Sequence, residues 1–366
     1  MVQVTLSTLP ADLVSVSDYA RYAPEHMTPA IYEYIVGGGA DEITLKRNRR
    51  QLDEISILPK ALTNCNQGTT QTKIMGEVWR HPMMLAPIAF HKLVHPEGEI
   101  ATAQAASILE TGMMVSTLSS IALENIAAEL DSPKWFQLYF QQSRAFTVSL
   151  VKRAEQAGYS KIVITIDAPL HGIRNRAQRA GFTLPEGVSA VNLKHRPPLP
   201  TASFDLDQSI VFQGMMSEAP NWDDITWLMQ QTALPIVLKG ILNPADALHA
   251  KSLGIAGIVV SNHGGRTLDC LPSSIEMLPK IRQTVGDDYP LLFDGGIERG
   301  TDVFKAIALG ANAVLIGRPQ LYALAVAGAV GVGHMLRILR EELEVTMALA
   351  GTPTIDTITH HSLWQN

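Results

Sequence analysis

Residues 235–266 read PIVLKGILNPADALHAKSLGIAGIVVSNHGGR, and this stretch shows how the chain is built. Two short apolar runs, PIVLKG and GIVVSN, flank a segment in which apolar residues recur every three to four positions. Apolar runs that are rich in β-branched residues and bounded by Gly, Pro or Asn predict buried strands, and the spacing between them predicts a helix. The stretch is therefore a predicted strand–helix–strand unit.

The same unit recurs along the chain. Eight apolar runs of this kind begin at Met83, Met113, Trp135, Ile162, Pro235, Gly257, Leu291 and Ala313. Eight alternating units predict a single (β/α)₈ barrel, because a doubly wound sheet would need a reversal of strand order that nothing in the sequence requires. We therefore expect one domain over residues 1–366, with an N-terminal helical segment at 1–80 and the barrel at 81–350.

Two segments depart from the barrel repeat. The interval after the fourth predicted strand is much longer than the others, and its excess, residues 182–222, is polar and Pro-rich. This composition favours a lid-like loop above the barrel over a second core. In the N-terminal segment, residues 17–36 are predicted to be helical and to end at Gly37–Gly39, where glycine permits a left-handed cap.

Composition and charge exclude several classes of protein. The 366 residues are 46% hydrophobic and 17% charged, with a net charge of −6 and no basic stripe, so we expect neither nucleic acid nor a membrane surface as a partner. Cys65 and Cys270 lie in no Cys/His cluster, which argues against a disulfide framework or a structural zinc site and favours a reducing compartment. The longest nearly apolar run, residues 321–333, is shorter than a membrane span. We therefore expect a cytoplasmic protein.

Polar residues follow the predicted strands at their carboxyl ends. Reacting groups in a (β/α)₈ barrel come from these ends, and an interior Lys or Asp in an apolar barrel is costly unless it is paired. We therefore expect the polar side chains to form one site. They are Gln137, Tyr139, Thr165, Asp167, Lys239, Ser261, His263, Asp294 and Arg318.

Two glycine-rich turns predict a phosphate site. DGGIERG at 294–300 and IGRP at 316–319 follow the seventh and eighth predicted strands, where such barrels bind phosphate. Gly295 and Gly296 allow backbone N–H groups to approach an anion, and Arg318 can supply a two-pronged charge. No strand–GxGxxG–helix unit is present, so the phosphate is not predicted to belong to a Rossmann-bound dinucleotide.

The stretch SNHGGR at 261–266 places His263 three residues before Arg266. This arrangement can put a base beside a carboxylate-binding guanidinium, which suits an anionic substrate, and Arg174 offers a second guanidinium. Asp167 can hold one imidazole nitrogen while the other accepts a proton. His91 and His95 have a metal-like spacing, but Pro96, directly after His95, and the strand-to-helix context favour a capping turn, so no metal is predicted.

Several motifs together resemble the FMN-dependent α-hydroxy acid oxidases, a family that includes glycolate oxidases, lactate oxidases and mandelate dehydrogenases. The resemblance extends over nearly the whole chain and is most specific where SNHGGR is paired with DGG(x)₂RGTD. The motifs are IYEYIVGGGAD (31–41), HPEGE (95–99), FQLY (136–139), TIDAP (165–169), LKG (238–240), SNHGGR (261–266), DGGIERGTDVFKA (294–306) and IGRP (316–319).

The resemblance implies a role for each matching residue. His263 would be the base that receives the substrate proton, oriented by Asp167, while Arg174 and Arg266 would grip the substrate carboxylate. Tyr34 and Tyr139 would hydrogen-bond the substrate. The implied flavin contacts are Pro87, Ile88, Ala89, Ser119, Gln137, Tyr139, Thr165, Lys239 and Ser261 at the ring, Asp294 at the ribityl chain, and Gly295, Gly296, Gly317 and Arg318 at the phosphate.

Three positions depart from the pattern of the family. Glu298 stands where most relatives have an arginine, so the phosphate side lacks one cation. Either Arg299 and Arg318 compensate for its loss, or Glu298 points to solvent and leaves the phosphate undisturbed. Ile121 replaces the Trp of glycolate oxidases, and Ile88 replaces their Thr. A branched aliphatic group in place of an indole opens volume, which favours a substrate that carries a methyl group.

These features lead to an expected activity. We expect oxidation of a short L-2-hydroxy acid, L-lactate to pyruvate, with FMN as cofactor and O₂ as acceptor, giving hydrogen peroxide. The alternatives are a glycolate oxidase, a dehydrogenase that reduces a quinone or cytochrome, and a flavin-binding protein without turnover. The resemblance also implies a homotetramer or octamer.

Overall fold

The N-terminal segment supplies three helices in the computed structural model, which describes residues 5–6, 8–198, 208–216 and 219–364. They are α1 (Val16–Tyr22), α2 (Pro29–Val36) and α3 (Ile43–Glu54). The predicted helical region is thus two helices with a 3₁₀ turn, Ala23–His26, between them. Pro29 begins α2 because the first turn of a helix needs no donor from that nitrogen, and the hydroxyl of Thr28 caps it by accepting from the N–H of Ile31.

The predicted left-handed cap at the end of α2 is wrong. Gly37 has φ −63° and ψ 149°, which is extended backbone that any residue adopts. The next two glycines are required by close packing instead, since a Cβ on Gly38 would lie 2.9 Å from the carbonyl oxygen of Gly265, and one on Gly39 would lie 2.7 Å from that of Thr267. The glycines therefore let this segment press against the loop that follows SNHGGR.

A short antiparallel hairpin follows, formed by β1 (Thr72–Ile74) and β2 (Glu77–Trp79). Ile74 and Trp79 pack against side chains from the barrel interior, including Trp135. Glu77 forms an ion pair with Lys161 at 2.6 Å. The hairpin thus closes the end of the barrel at which the strands begin.

The eight predicted strands form a closed parallel barrel, which confirms the predicted fold class. Observed and predicted starts differ by at most one residue, because a strand covered on both faces reads as a short apolar run. The strands are β3 (Met83–Leu85), β4 (Gly112–Ser116), β5 (Lys134–Leu138), β6 (Lys161–Thr165), β7 (Ile236–Ile241), β8 (Gly257–Val260), β9 (Leu291–Phe293) and β10 (Ala313–Ile316).

Helices surround the barrel and complete the alternation, and one further short helix, α7, lies between β6 and the insertion. The helices are α4 (Glu99–Ile108), α5 (Leu123–Ala128), α6 (Arg144–Gln156), α7 (Asn175–Arg179), α8 (Trp222–Met229), α9 (Pro244–Ser252), α10 (Ser274–Val285), α11 (Gly300–Ala308) and α12 (Arg318–Ala350).

One helix, α12, is long and apolar enough to cross a membrane by length and composition alone, and it includes the apolar run at 321–333. Of its most apolar window, 72% is buried inside the protein, as in a core helix. Its backbone is also interrupted at Ala327 and Gly328, which have non-helical dihedral angles. The burial and the interruption favour a core helix over a membrane span.

The insertion after β6 is described in part. After α7, a 3₁₀ turn spans Val191–Leu193 and a single π-helical segment spans Ile210–Met215. Of the predicted lid at 182–222, residues 199–207 and 217–218 lie outside the described residues. The lid role stays a prediction.

Candidate active site

The carboxyl ends of six neighbouring strands, β5 to β10, bring the predicted polar residues to one end of the barrel. Because all of these strands are parallel, the residues that follow them meet at one mouth. The first of them, Tyr139, follows β5, and Asp167 follows β6. Lys239 ends the regular part of β7, and His263 follows β8.

His263 and Asp167 form the central pair. Nδ1 of His263 lies 2.9 Å from Oδ1 of Asp167. The imidazole therefore donates its Nδ1 proton to the carboxylate, and Nε2 carries a lone pair that can accept a proton. The backbone of His263 has φ +57°, a conformation that residues other than glycine adopt rarely and that recurs at functional sites.

The carboxylate of Asp167 is held in its charged form. Burial opposes the charge, but His263 and Lys239 outweigh burial and lower the pKa of Asp167. Its second oxygen, Oδ2, is buried without a hydrogen-bond partner. Asp167 can thus balance the positive charge that appears when the imidazole accepts a proton.

Lys239 is a buried cation in the barrel mouth. Its Nζ lies 2.7 Å from Oδ2 of Asp294 and donates to Oγ of Ser261 at 2.9 Å. Burial works against the ammonium, but the carboxylates of Asp294 and Asp167 outweigh it and raise the pKa of Lys239. The lysine therefore presents a fixed positive charge next to the central pair, His263 and Asp167.

Tyr34 brings the two predicted carboxylate-binding arginines together. The guanidinium carbon of Arg266 lies 5.3 Å from the centroid of the Tyr34 ring, and that of Arg174 lies 5.8 Å from it. Phe182, the first residue of the insertion, stacks on the same ring at 4.0 Å. Among the described residues, neither arginine forms an ion pair with a carboxylate. An anion of the right shape is the partner that such a pair lacks.

The end of α2 orients Arg266. Its Nη1 donates to the carbonyl oxygens of Ile35 and Gly37, and its Nη2 donates to that of Tyr34. Of the five N–H groups of the guanidinium, two remain for a ligand. Burial and the positive charges of Arg174 and Arg318 lower the pKa of Arg266, which is the signature of a cation held in place without a counter-charge.

Tyr139 is close enough to Asp167 and to both arginines for their charges to act on its phenol. Burial and the carboxylate of Asp167 raise the pKa of its phenol, while the charges of Arg174 and Arg266 act in the opposite sense. The phenol therefore stays protonated and can donate a hydrogen bond. The structure thus brings together His263, Asp167, Tyr139, Tyr34, Arg174 and Arg266, although their roles toward a substrate stay predictions.

The predicted flavin contacts border the same mouth. Pro87, Ile88 and Ala89 are half-buried directly after β3. Gln137 donates to Oγ1 of Thr165 at 3.0 Å. Ser119 is fully buried, and its hydroxyl donates to the carbonyl of Ile121. The contacts of these residues with a flavin ring stay predictions.

The hydrogen bonds of Arg318 differ from the prediction, which assigns its guanidinium to the phosphate. Arg318 donates to the carbonyl oxygens of Ile35, Gly264 and Gly37, so its guanidinium links α2 to the loop after β8. A Cβ on Gly317, at the start of α12, would meet nothing within 4 Å. The open space at Gly317 lies at a helix N-terminus, which favours an anion there.

Glu298 does not point to solvent. It is half-buried, and burial raises the pKa of its carboxyl group, with Arg49 acting in the opposite sense. Arg299 pairs with Glu342 rather than turning to the phosphate side. Arg49, on α3, donates to the carbonyl of Gly296 and forms a two-pronged ion pair with Asp302, with both distances 2.7 Å. Sequence reasoning missed Arg49, because nothing in its local pattern links it to the turn at 294–300.

The loop that carries His263 is bound to the N-terminal segment. The carboxylate of Asp269 accepts hydrogen bonds from the backbone N–H groups of Asp41, Ile43 and Thr44, and so caps α3 from a distance in sequence. This contact holds Tyr34 and Arg266 in the same region. The sequence offers no signal for it, because the two segments lie more than 200 residues apart.

The histidines with metal-like spacing have structural partners. His91 Nδ1 lies 2.9 Å from the hydroxyl of Thr102, and Nδ1 of His95 accepts from the N–H of Glu97. Over the described ranges, no group of three His, Cys, Asp or Glu side chains could hold a metal ion. The two histidines thus have hydrogen-bond partners within the turn and on α4, whereas α4 itself begins after Gly98 without a side-chain cap.

Comparison with known proteins places this geometry in context. The model of the family described as FMN-dependent dehydrogenase matches residues 23–365. An L-lactate oxidase of Alicycliphilus denitrificans is 45% identical over 97% of each chain, and a peroxisomal (S)-2-hydroxyacid oxidase of Arabidopsis thaliana is 41% identical over 95% of this chain and 96% of its own length. Among solved structures, mandelate oxidase with (S)-2-phenylpropionate matches with a TM-score of 0.87 and 40% identity, over 96% of this chain and 98% of that chain.

Proposed function

The chain belongs to the family of FMN-dependent dehydrogenases, and on this premise we propose that it oxidises a short L-2-hydroxy acid, L-lactate in the first place, to the 2-oxo acid with O₂ as acceptor. One observation carries the proposal. An imidazole bound to a carboxylate shares the barrel mouth with two guanidinium groups that lack an acidic partner among the described residues. L-Lactate oxidases from three bacteria, 42–45% identical to this chain, support the choice of substrate.

The residues at the mouth fit FMN. Oδ1 of Asp294 and Nε of Arg174 are buried without a partner, which marks places where a ligand is expected to hydrogen-bond. Lys239 offers a positive charge in the centre of the mouth, and the start of α12 at Gly317 offers an open helix N-terminus for a phosphate. We assign Asp294 to the ribityl chain, Lys239 to the ring and Gly317 to the phosphate.

When bound, FMN supplies the chemistry that takes two electrons from the substrate. The protein supplies the rest: Arg174 and Arg266 bind the carboxylate, and Tyr139 donates a hydrogen bond to the substrate oxygen. Nε2 of His263 takes a proton from the substrate, and Asp167 stabilises the resulting imidazolium. The fixed charge of Lys239 beside the ring adds electrostatic stabilisation, which is worth about 3 kcal/mol in comparable preorganised sites.

Two aliphatic side chains support lactate over glycolate. Ile121 and Ile88 are both half-buried near the mouth and pack against the core. Their methyl groups can contact the methyl group of lactate. Each such contact contributes at most a few kcal/mol to the discrimination between lactate and glycolate. Glycolate is therefore expected to be a slower substrate rather than an excluded one.

The test uses the purified protein loaded with FMN. Anaerobic L-lactate should bleach the yellow colour within seconds, and in air each pyruvate should be accompanied by one hydrogen peroxide. Bleaching without peroxide would identify a dehydrogenase with another acceptor. Persistent colour with lactate, glycolate and longer hydroxy acids would identify a flavin-binding protein without turnover.

We further propose that the protein is a cytoplasmic homotetramer or octamer. Two unpaired cysteines, Cys65 and Cys270, support a reducing compartment, and the family resemblance supports the assembly. Light scattering on the eluate of a size-exclusion column measures the mass of the assembly directly. A monomer of 39.8 kDa would contradict this proposal and leave the proposed activity untouched.

A further inference from the structure

One side chain of the insertion after β6 reaches into the protein. Asn192 is 2% exposed, whereas Lys194, two residues further along, is exposed. The amide oxygen of Asn192 accepts from the N–H of Leu123 at 3.0 Å and from Nη2 of Arg153 at 3.2 Å. Because both of these groups can only donate, the amide NH₂ group must point the other way.

The NH₂ group of Asn192 binds the loop between β4 and α5. It donates to Oγ of Ser119 at 2.8 Å and to the carbonyl of Thr117 at 3.4 Å. The hydroxyl of Ser119 in turn donates to the carbonyl of Ile121 at 2.8 Å. A serine has one hydroxyl hydrogen, and since Asn192 already presents a donor, that hydrogen is directed to Ile121. Asn192, Ser119 and Ile121 thus form a relay with a fixed direction.

A separate contact holds the rest of this loop. Glu99 is 1% exposed, and its carboxylate accepts from both the backbone N–H and the hydroxyl of Ser120. The loop is therefore anchored at Ser120 by α4 and at Ser119 by the insertion. We expect that loss of the second anchor shifts Ile121 without unfolding the loop.

We propose that Asn192 is a positioning residue that sets the width of the substrate pocket by holding Ile121 through Ser119. The inference rests on the proposed function, since Ile121 selects among hydroxy acids only if the chain oxidises them. It also assigns a task to the insertion that does not depend on any lid: its 3₁₀ turn, Val191–Leu193, supports the loop that carries Ile121.

The test is the substitution Asn192→Asp, which reverses the direction of the hydrogen bond between residue 192 and Ser119 and keeps the size of the side chain almost unchanged. In Asn192→Asp, the carboxylate still accepts from Leu123 and Arg153 but gives up the weak donation to the carbonyl of Thr117. Because it also accepts from Ser119, the carbonyl of Ile121 loses its donor. We expect the ratio of kcat/KM for L-2-hydroxybutyrate to that for L-lactate to rise about fivefold, the equivalent of one hydrogen bond. Hydrogen exchange in residues 117–123 should also quicken. Lys194→Ala, on the same turn, is the matched control and should leave both measurements unchanged.

Each result decides the matter. Faster exchange in Asn192→Asp with a wild-type ratio would make Asn192 merely structural and overturn the proposal, as would no change in either measurement. A wild-type protein that oxidises none of the acids would refute the proposed function and the selectivity claim together. In that case the exchange measurement, which needs no turnover, would still show whether Asn192 holds the loop.

Discussion

Nδ1 of His263 lies 2.9 Å from Oδ1 of Asp167, and the absence of a side chain at Gly240 makes this contact available. A Cβ on Gly240 would lie 2.4 Å from Cγ of Asp167, and its φ of +108° is a conformation that L side chains rarely adopt. The strand end Lys239–Gly240 therefore does two things at once: it places a cation at the mouth and makes room for the carboxylate that binds Nδ1 of His263.

Replacement of Asp167 by Asn tests this orientation. The variant removes the negative charge that balances the imidazolium, so kcat for L-lactate should fall by about 10⁴-fold, as in other carboxylate–histidine pairs. The rate of anaerobic bleaching in a stopped-flow instrument measures the effect. Asp131→Asn, at an exposed carboxylate before β5, is the control. A bleaching rate near that of the wild type would show that Asp167 does not assist His263.

Replacement of Arg266 by Lys tests the carboxylate site. Lysine keeps the charge but loses the planar fork, and it cannot reproduce the three bonds to the end of α2. We expect kcat/KM for L-lactate to fall by about 10²-fold, mostly through KM, because a two-pronged bond to a carboxylate is lost. Arg337→Lys, an exposed residue on α12, controls for the exchange of residue type. Unchanged lactate kinetics in Arg266→Lys would remove Arg266 from the site.

The width of the pocket can be tested at Ile121. An indole at this position fills space beside the substrate carbon, so Ile121→Trp should lower the ratio of kcat/KM for L-lactate to that for glycolate by about tenfold. Steady-state rates of peroxide formation with both acids give the ratio. The same exchange at the exposed Ile108 should leave it unchanged. A ratio that stays constant in Ile121→Trp would place the selecting contact elsewhere.

The barrel could be predicted from the sequence because its strands are buried on both faces. A strand of this kind reads as a short apolar run, and eight such runs leave few alternatives for the fold. The polar residues of the site could be predicted for a related reason. Lys239 and Asp294 stand at the ends of apolar strands, where an unpaired charge would be costly.

The supporting contacts could not be predicted, because they join segments far apart in sequence. Arg49 reaches Asp302 across 253 positions, and Asn192 reaches Ser119 across 73. Nothing in a local pattern distinguishes Arg49 from the other arginines of α3. Gly38 and Gly39 show the same limit: the sequence indicates a break after α2, but only the packed loop at 265–267 explains why side chains are excluded at these two positions.

A buried histidine at the opposite end of the barrel makes stability depend on pH. His81 is 2% exposed, its Nε2 is 3.0 Å from the hydroxyl of Thr111, and burial together with the charge of Arg340 lowers its pKa to about 4. The unfolded chain binds a proton at this residue near pH 6.5, whereas the folded protein does not until about pH 4. The free energy of unfolding should therefore fall as the pH falls from 6.5 to 4, by about 3 kcal/mol from this residue. Urea unfolding at a series of pH values and fixed FMN concentration gives the free energy of unfolding as a function of pH. His81→Gln should lose this part of the pH dependence, and the control His361→Gln, at an exposed position, should keep it. An equal pH dependence of the free energy of unfolding in wild type and His81→Gln would mean that His81 is not the group that titrates.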